Sequence, residues 1–333
     1  MQNKKLLIKK VLVKRKLPIN HNIKDDYLFS NEIERELPHL CSELHKNICI
    51  NSNQYLWKNL SFLDETFFRR EERSKDKLSN FKFLLKSFIK KKRVINEGLW
   101  LIDNWSHGYF HWFGDVLQKY YSLKKRNTKL ILPASYSKID FIISSSKALK
   151  IELEFIQDHD ILKCKNLTIV PTSFISGNFY HEPIIKLRKD LIKHQINAYN
   201  YNRIYVTRKN ARFRKIKNEN DLIKCLQKYN FHILDFDNVK FEEERKMCFN
   251  VNIFISIHGS GLTNQLLMSS KVKVLELRHI KSTQNTFFSL ASALENDYYY
   301  LNCNPFKKQT PVHSADLIVN IDKLDKLIRK IIE

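Results

Sequence analysis

Residues 255–270 read ISIHGSGLTNQLLMSS, and this stretch decides the fold. The run NIFISI that leads into it is β-branched and apolar, which is typical of a buried parallel strand. The run LTNQLLM that follows the turn has helical character. Between them stand Gly259 and Gly261, two of only six glycines in the 333 residues. Glycine tolerates tight turns and lets a ligand approach the backbone closely, so we expect a strand, a sharp turn and a helix.

The rest of the chain extends this pattern in both directions. From about residue 95 onward, strand-like runs such as LTIVPTS, RIYVTR, FHILDF and KVLELR alternate with helix-like runs. This alternation predicts βαβ units with parallel sheets. The polar-aromatic stretch NAYNYN, near residues 196–202, marks the expected break between two α/β domains, 1–198 and 199–333. Residues 1–90 are harder to assign, and the last helix could pack back on the first domain.

Composition says more about the cellular compartment of the protein than about its function. The formal charge of +23 would suit an anionic partner, but lysine is abundant throughout, so we give the charge little weight. The six cysteines form no CxxC pair, and no apolar run is long enough to span a membrane. We expect a cytoplasmic protein. The basic run 90–93 offers an optional peripheral contact with an anionic membrane surface, the inner face of the plasma membrane.

The glycine turn has the features of a diphosphate site. A helix that starts there points its N–H groups into the crevice at the strand ends, where ligands of open α/β sheets bind. Side chains in the turn can add donors to a phosphate oxygen or a sugar hydroxyl. A tight turn without a ligand is the plain alternative. The candidate nucleotide-binding residues of this motif are His258, Gly259, Ser260, Gly261, Leu262, Thr263 and Asn264.

Two further strand ends carry candidate ligand contacts. The run TRKNARFRK follows strand RIYV, and the forks of Arg208, Arg212 and Arg214 suit phosphate oxygens. The alternative is a solvated basic loop. Glu276 ends another strand, where a carboxylate could accept hydrogen bonds from a ribose diol. Its alternative is a surface ion pair with Arg278.

Three blocks of this sequence resemble glycosyltransferase family 61. IHGSGLTNQLLM followed by KVLEL is similar to the family's HGAGLTN…VLEL block. YVTRKNARFRKIKNENDL resembles its S-R-x-x-A-R-x-R-x-x-x-N-E block, and EGLWLIDNWSHGYFHWFGDVL resembles its G-x-Y-x-H-W-x-x-D segment. The blocks occur in family order and cover roughly residues 95–325. Ser260 for alanine and Thr207 for serine are conservative departures.

The resemblance implies a GT-B architecture, in which two Rossmann-like domains with parallel sheets face each other across a cleft. It implies inverting transfer from a nucleotide-diphosphate sugar bound to the second domain, with no essential metal and no other cofactor. A bacterial-type member would act on a glycan or lipid-linked acceptor in capsule, exopolysaccharide or lipopolysaccharide synthesis. Whether it is a hexosyl-, pentosyl- or N-acetylhexosaminyl-transferase stays open, as do the acceptor linkage and the oligomeric state.

The first domain carries the candidate base. His111 and Asp115 are four residues apart, so they share one helix face. Histidine titrates near neutrality and can take the proton of an acceptor hydroxyl, while Asp115 can orient it or act as the base itself. A bracing pair inside the helix is the alternative. Trp105, Tyr109 and Trp112 surround the pair and are the candidate acceptor-side residues.

Other functions remain in view. Asp235 and Asp237 imitate a metal-binding DxD motif, but an aspartate that follows a strand is expected as a turn or cap residue, so we expect no metal site. A basic nucleic-acid-binding protein would match the charge but leave the three blocks unexplained, so no nucleic acid is expected as a partner. A catalytically inactive GT-B relative that serves as an assembly partner is the other alternative.

Overall fold

The computed structural model describes residues 3–59, 61–64, 82–87, 92–124, 126–171, 176–193, 197–269 and 271–333. The chain divides into two compact units, one of Met1–Val11 with Pro38–Ile175 and the other of Leu12–Leu37 with Ser176–Glu333. The second unit thus begins earlier than the expected break near residues 196–202, and it takes in a segment from the start of the chain. Long-range contacts create this division, and local composition does not report them.

Sixteen strands occur within these ranges. They are β1 (Asn3–Ile8), β2 (Val11–Lys14), β3 (Glu34–Leu37), β4 (Leu40–Ile50), β5 (Leu56–Lys58), β6 (Ser61–Phe62), β7 (Lys92–Trp100), β8 (Leu130–Pro133), β9 (Leu153–Ile156), β10 (Ile161–Ile169), β11 (Arg203–Val206), β12 (His232–Leu234), β13 (Ile253–Ile257), β14 (Lys273–His279), β15 (Asp297–Pro305) and β16 (Leu317–Ile318).

The helices alternate with the strands from residue 109 onward. The α-helical segments are Asp26–Ile33, Tyr109–His111, Leu117–Ser122, Asp140–Ala148, His181–Ile192, Glu219–Gln227, Phe241–Cys248, Thr286–Ala293 and Ile321–Ile332. Trp112–Val116 is a π-helical segment that joins two of them, and Ile23–Asp25, Ala134–Lys138 and Ser260–Leu267 are 3₁₀ helices.

The sheet of the first unit is mixed. Its strand order is β6-β5-β4-β10-β7-β8-β9, with β1 paired to β4. The neighbouring strands β10, β7, β8 and β9 run parallel to one another. Strands β1, β5 and β10 each run antiparallel to β4, and β6 runs antiparallel to β5. The expectation of a parallel sheet therefore holds for one part of this sheet, and the sheet as a whole is mixed. The less assignable N-terminal region supplies the antiparallel strands, which need only short connections.

The sheet of the second unit has the order of a doubly wound fold. Its strands run β12-β11-β13-β14-β15-β16, and every pair except β15–β16 is parallel. All five residues of β13 are buried, as a central strand covered on both faces requires. The order reverses between β11 and β13, so the carboxyl ends of these two strands form the topological switch point, where such sheets bind ligands.

The last helix, Ile321–Ile332, packs in the core of the second unit. Leu324, Leu327, Ile328 and Ile331 are buried at helical spacing, and they share a cluster with side chains of β11, β13 and β14. The whole apolar stripe of this helix is buried within the core of the second unit. None of that stripe is left for the packing against the first domain that the sequence analysis allowed for.

Residues Leu12–Leu37, here called the N-terminal segment, complete the second unit. Its strands β2 and β3 pair with each other, and Phe29 joins a buried cluster with Phe288, Tyr298 and Tyr300. Asn20 adds backbone hydrogen bonds to Tyr300, through Nδ2 at 2.8 Å and Oδ1 at 3.1 Å. The N-terminal segment therefore covers one face of the sheet beside β15.

A membrane contact by the basic run 90–93 stays a prediction. Lys90 and Lys91 lie outside the described residues, and Arg93 in β7 pairs with Glu154 and donates to the carbonyl of Phe155 at 2.7 Å. Within the described ranges, none of the helices combines the length and hydropathy that a membrane span requires.

Candidate functional site

The turn after β13 brings the glycine backbone against an arginine. Gly259 lies between His258 and the 3₁₀ helix Ser260–Leu267, and its backbone is extended. A Cβ atom at this position would lie 2.8 Å from Nη1 of Arg208, closer than real Cβ atoms come. A side chain at residue 259 would therefore require the guanidinium of Arg208 to shift.

Gly261 has no such constraint. A Cβ atom there would lie 3.6 Å from Ser256 Oγ and from Val206 Cγ1, which is ordinary contact. The expectation that both glycines form the turn is corrected: the 3₁₀ helix has already begun at Ser260, so the close approach occurs at Gly259 alone.

The next residues of the motif face the core. Leu262, Thr263 and Asn264 are all buried, and Asn264 Nδ2 donates to Oε1 of Glu244 at 2.6 Å. The expectation that Thr263 and Asn264 present side-chain donors to a ligand stays a prediction: Asn264 donates to Glu244, whereas the buried Oγ1 of Thr263 has no hydrogen-bond partner among the described residues. The tight 3₁₀ helix turns them inward, where Asn264 ties the motif to helix Phe241–Cys248.

A buried carboxylate holds His258. Glu276 is fully buried in β14, and its Oε1 lies 2.6 Å from Nδ1 of His258. The Tyr298 hydroxyl donates to the other carboxylate oxygen at 2.8 Å. Burial raises the pKa of Glu276, but His258, Arg278 and Tyr298 outweigh it and keep the pKa below its usual range. Glu276 is thus an ionised acceptor that orients His258. Both of its oxygens have partners inside the protein, and its contact with a ribose diol stays a prediction.

Arg278 is also buried, which corrects its reading as a surface partner of Glu276. Its Nη atoms donate to Asn285 Oδ1 at 3.0 Å and to the carbonyl of Ser282 at 2.6 Å. Its guanidinium carbon lies 5.0 Å from the centre of the Phe29 ring. Arg278 therefore fixes the loop after β14 and offsets the buried negative charge.

Thr207 shapes the basic loop after β11. Its hydroxyl donates to Glu219 Oε1 at 2.6 Å and accepts from the backbone N–H of Lys209 at 3.1 Å. The Tyr205 hydroxyl donates to the same Glu219 oxygen at 2.6 Å. These bonds hold the start of the loop at the carboxyl end of β11.

Two arginines of this loop converge on the glycine turn. Arg208 lies against Gly259, and Nη1 of Arg214 donates to the carbonyl of His258 at 3.1 Å. Arg214 has a left-handed backbone with φ of 61°, which is strained for a residue with a Cβ atom. Burial lowers the pKa of both guanidinium groups, and the charge of Arg208 lowers that of Arg214 further.

The two guanidinium groups also have unmet donors. In the described part of the chain, the Nε atoms of Arg208 and Arg214 are buried without a hydrogen-bond partner. Two partly desolvated cations that repel each other suit an anion with several oxygens, and their contact with a diphosphate stays a prediction. Arg212, the third arginine of the loop, is exposed, and its guanidinium carbon lies 5.0 Å from the centre of the Phe213 ring.

The DxD-like pair follows β12 on the same edge of the sheet. Asp235 Oδ2 accepts from Asn210 Nδ2 at 2.9 Å, and Asp235 Oδ1 accepts from the backbone of Asp237 at 3.1 Å. Asp235 therefore has the turn-forming role that the sequence predicts. Among the residues that the structure describes, no group of three or more histidine, cysteine or acidic side chains is arranged to hold a metal ion.

The His111–Asp115 pair forms as expected in the first unit. Nδ1 of His111 lies 2.8 Å from Oδ2 of Asp115, and their side chains are 28% and 5% exposed. The pair spans the π-helical segment Trp112–Val116, a distortion that the sequence did not indicate and that is frequent at functional sites. The geometry of the pair is confirmed, and its catalytic role stays a prediction.

The three aromatic residues around this pair have different positions. Trp105 is 53% exposed, and its ring centre lies 6.1 Å from that of His111. Tyr109 is half-buried against the rings of Phe113 and Phe141. Trp112 is fully buried, and its Nε1 donates to Ser145 Oγ at 2.9 Å, so it is a core residue and not an acceptor contact.

Lys119 is a charged residue of this site that the sequence reasoning missed. It is buried one helical turn beyond Asp115, and its Nζ donates to the carbonyl of Leu101 at 3.2 Å. Burial lowers the pKa of Lys119, while Asp103 and Asp115 oppose this effect. The spacing 111, 115, 119 continues one helix face and was the available signal.

A comparison with protein families agrees with these features. The family model described as glycosyltransferase 61 matches residues 109–275, half of the chain. The chain belongs to glycosyltransferase family 61. The matched range of this family 61 member includes the His111–Asp115 pair, the basic loop after β11 and the His258 turn, and it stops one residue before Glu276.

Curated relatives of this family 61 glycosyltransferase are similar over part of their length. A Rattus norvegicus protein named EGF domain-specific O-linked N-acetylglucosamine transferase is 25% identical over 151 residues, which cover 39% of this chain and 28% of that protein. A Pan troglodytes protein of the same name is 26% identical over 121 residues, 30% of this chain and 23% of that protein. The chain therefore spans about a quarter of the length of these relatives.

Proposed function

We propose that this glycosyltransferase moves a sugar from a nucleotide-diphosphate sugar to a glycan or lipid-linked acceptor, with inversion at the anomeric carbon. The observation that carries the donor half of this proposal is the convergence of Arg208 and Arg214 on the His258 turn. Both lie at the switch point between β11 and β13, where doubly wound sheets bind nucleotides.

A diphosphate meets the requirements of this pair. Its negative charge would relieve the repulsion between the two guanidinium groups, and its oxygens would accept from their unmet donors. The backbone N–H groups at the start of the 3₁₀ helix Ser260–Leu267 are further hydrogen-bond donors for the phosphate oxygens. Glu276 accepts from Nδ1 of His258, so Nε2 is the nitrogen left for a ligand: in the neutral ring it accepts from a sugar hydroxyl, and in the protonated ring it donates to a phosphate oxygen.

The chemical step requires a base for the acceptor hydroxyl. His111 is partly exposed and bound through Nδ1 to the buried Asp115, an arrangement in which the carboxylate stabilises the imidazolium that forms on proton uptake. The exposed face of Trp105 beside it offers a stacking surface for a sugar ring. We assign proton transfer to His111 with Asp115 as its orienting partner. The GT-B arrangement of the two units and a role in surface polysaccharide synthesis are parts of the same proposal.

The identity of the donor is an experimental question with a natural first candidate. Because the similar curated proteins are named as N-acetylglucosamine transferases, UDP-N-acetylglucosamine is the first nucleotide sugar to test. A panel with other UDP-, GDP- and CMP-sugars, scored for donor hydrolysis without acceptor, identifies the donor and separates an active enzyme from an inactive assembly partner.

Calorimetric binding of UDP and uridine tests the phosphate site. Arg208→Ala and Arg214→Ala should each weaken the binding of UDP by about 10- to 100-fold, the scale of a charge-assisted hydrogen bond. The binding of uridine should stay unchanged. Arg329→Ala, at an exposed arginine of the last helix, is the matched control. Equal losses for UDP and uridine in the two loop variants would mean that these arginines only support the fold.

A further inference from the structure

The second unit contains a polar cavity outside the glycine turn. Its volume is about 420 Å³, which is in the range of small-molecule sites. The walls come from the N-terminal segment, the end of β14, the strands β15 and β16 and the start of the last helix. Four of its lining side chains are asparagines: Asn22, Asn302, Asn304 and Asn320. We call this cavity the amide pocket.

Hydrogen bonds inside the protein fix how these amides face the cavity. Asn302 donates from Nδ2 to Asp25 Oδ1 at 3.2 Å, and the Tyr300 hydroxyl donates to Asp25 Oδ2 at 2.7 Å. Asp25 is thereby satisfied within the wall. Within the described ranges, Oδ1 of Asn302 is buried without a hydrogen-bond partner, which is costly unless a ligand or water donates to it.

Two other amides are oriented in the opposite sense. Asn22 and Asn320 each accept a backbone N–H through Oδ1, from Lys24 at 3.0 Å and from Lys323 at 2.9 Å. Their oxygens cap the 3₁₀ helix Ile23–Asp25 and the last helix, so their Nδ2 groups are the donors that the pocket offers. The amide pocket thus presents amide donors to the hydroxyl and carboxylate oxygens of a ligand.

The charge at the rim adds a second requirement. Lys24 and Lys323 are exposed lining residues, whereas the only acidic lining side chain, Asp25, is already hydrogen-bonded in the wall. The lining therefore carries two ammonium groups and one carboxylate, a net charge of +1. This balance favours a negative charge on the ligand.

The pocket is separate from the proposed donor site. Ile280, one of its lining residues, follows β14, and Asn302 and Asn304 lie in β15, whereas His258 follows β13. Neighbouring strands are about 4.8 Å apart, so one to two strand spacings, roughly 5–10 Å, separate the pocket from the His258 turn along the sheet edge. We propose that the amide pocket binds an acidic sugar, a pyranose that carries a carboxylate.

Direct binding of glucuronic acid to the full chain tests this proposal by calorimetry or ligand-observed NMR. Lys323→Ala and Asn304→Ala should each weaken binding roughly tenfold or more, the scale of losing one charged or polar contact. Lys326→Ala, an exposed lysine of the same helix outside the pocket, is the matched control. Thermal melts of all three variants establish that they are folded.

Four results would overturn the proposal. Glucose that binds as well as glucuronic acid would remove the role of the negative charge. Inorganic phosphate with equal affinity would remove the role of the hydroxyl groups. Absence of glucuronic acid binding at millimolar concentration would reject the site. Competition by UDP together with sensitivity to Arg208→Ala would move the bound acid to the glycine turn. Because the assay contains no donor, its failure leaves the proposed transfer reaction standing, and failure of the donor tests leaves this pocket standing.

Discussion

Oε1 of Glu276 lies 2.6 Å from Nδ1 of His258, and the carboxylate that makes this contact is fully buried. An ionised carboxylate only accepts hydrogen bonds, so His258 must carry a proton on Nδ1. Its Nε2 atom is then the one available to a ligand. The buried charge in β14 therefore decides which nitrogen of the exposed turn can meet a phosphate or a sugar.

The first prediction concerns the stability that this charge provides. Glu276→Gln should lower the free energy of unfolding at pH 7 by on the order of 3 kcal/mol, because His258 and Arg278 lose their buried counter-charge. The folded-state pKa of Glu276 lies below the unfolded value of about 4.3, so the ionised carboxylate stabilises the fold above that pH. The contribution is lost as the pH falls through the folded pKa.

Urea unfolding of wild type and variant between about pH 3 and pH 7 measures this effect, and the difference should shrink at the acid end. Glu182→Gln serves as the control, because Glu182 forms an exposed ion pair with Lys186 and should change stability little. A difference that stays constant across the pH range would show that the substitution acts through packing and not through charge.

The second prediction separates the two glycines of the turn. Gly259→Ala should weaken the binding of UDP by roughly tenfold or more, because the new methyl group displaces the Arg208 guanidinium from the position proposed to contact the phosphates. Gly261→Ala should leave UDP affinity nearly unchanged, since its methyl group meets only ordinary contacts. Calorimetric titration of both folded variants gives the comparison. Equal loss of affinity in the two variants would contradict the assignment of the close approach to Gly259.

The third prediction concerns proton transfer in the first unit. His111→Ala and Asp115→Asn should each lower turnover by roughly 10²-fold, the usual scale for a positioned base, with donor affinity unchanged. If Asp115 orients His111, the asparagine variant retains a histidine-like limb in its pH–rate profile. His159→Ala, at an exposed histidine of the same unit, is the control. Turnover close to wild type in both variants would exclude this helix from the reaction and leave His258 as the next residue to test.

The fourth prediction concerns metal. Chelation with EDTA should leave turnover intact, because arginine side chains and backbone N–H groups can meet the donor phosphates without a cation. Asp235→Asn should also be tolerated, since Asp235 serves the turn through Asn210 and the backbone of Asp237. Loss of turnover with EDTA and recovery with Mn²⁺ would reassign this pair as metal ligands.

The sequence was sufficient where the pattern is local. The apolar run of β13 predicted a buried parallel strand, and the four-residue spacing of His111 and Asp115 predicted their contact. The arginine loop could be placed at a strand end because RIYV is short and clearly bounded. In each case the information lies within about ten residues of chain.

Burial was harder to predict, because it depends on neighbours that are distant in sequence. Trp112 is adjacent to His111 but points into the core toward Ser145, and Asn264 turns toward Glu244 instead of the ligand crevice. Glu276, predicted at a strand end, lies in the middle of β14, where the Tyr298 hydroxyl from the next strand donates to it. A periodic pattern gives the spacing of such side chains but not which of them another element will cover.

The N-terminal segment has a consequence for how the polypeptide folds during synthesis. Asn20 bonds to Tyr300 across 280 residues, and Leu28 accepts from Asn285 across 257. Residues 12–37 are therefore synthesised well before the strand and loop that they cover. Domains usually complete in order from the N-terminus, and this chain cannot do so for its second unit. Phe29, which is fully buried in the folded chain, must therefore stay uncovered until the helix Thr286–Ala293 and β15 have been made, and a chaperone would protect it during this interval.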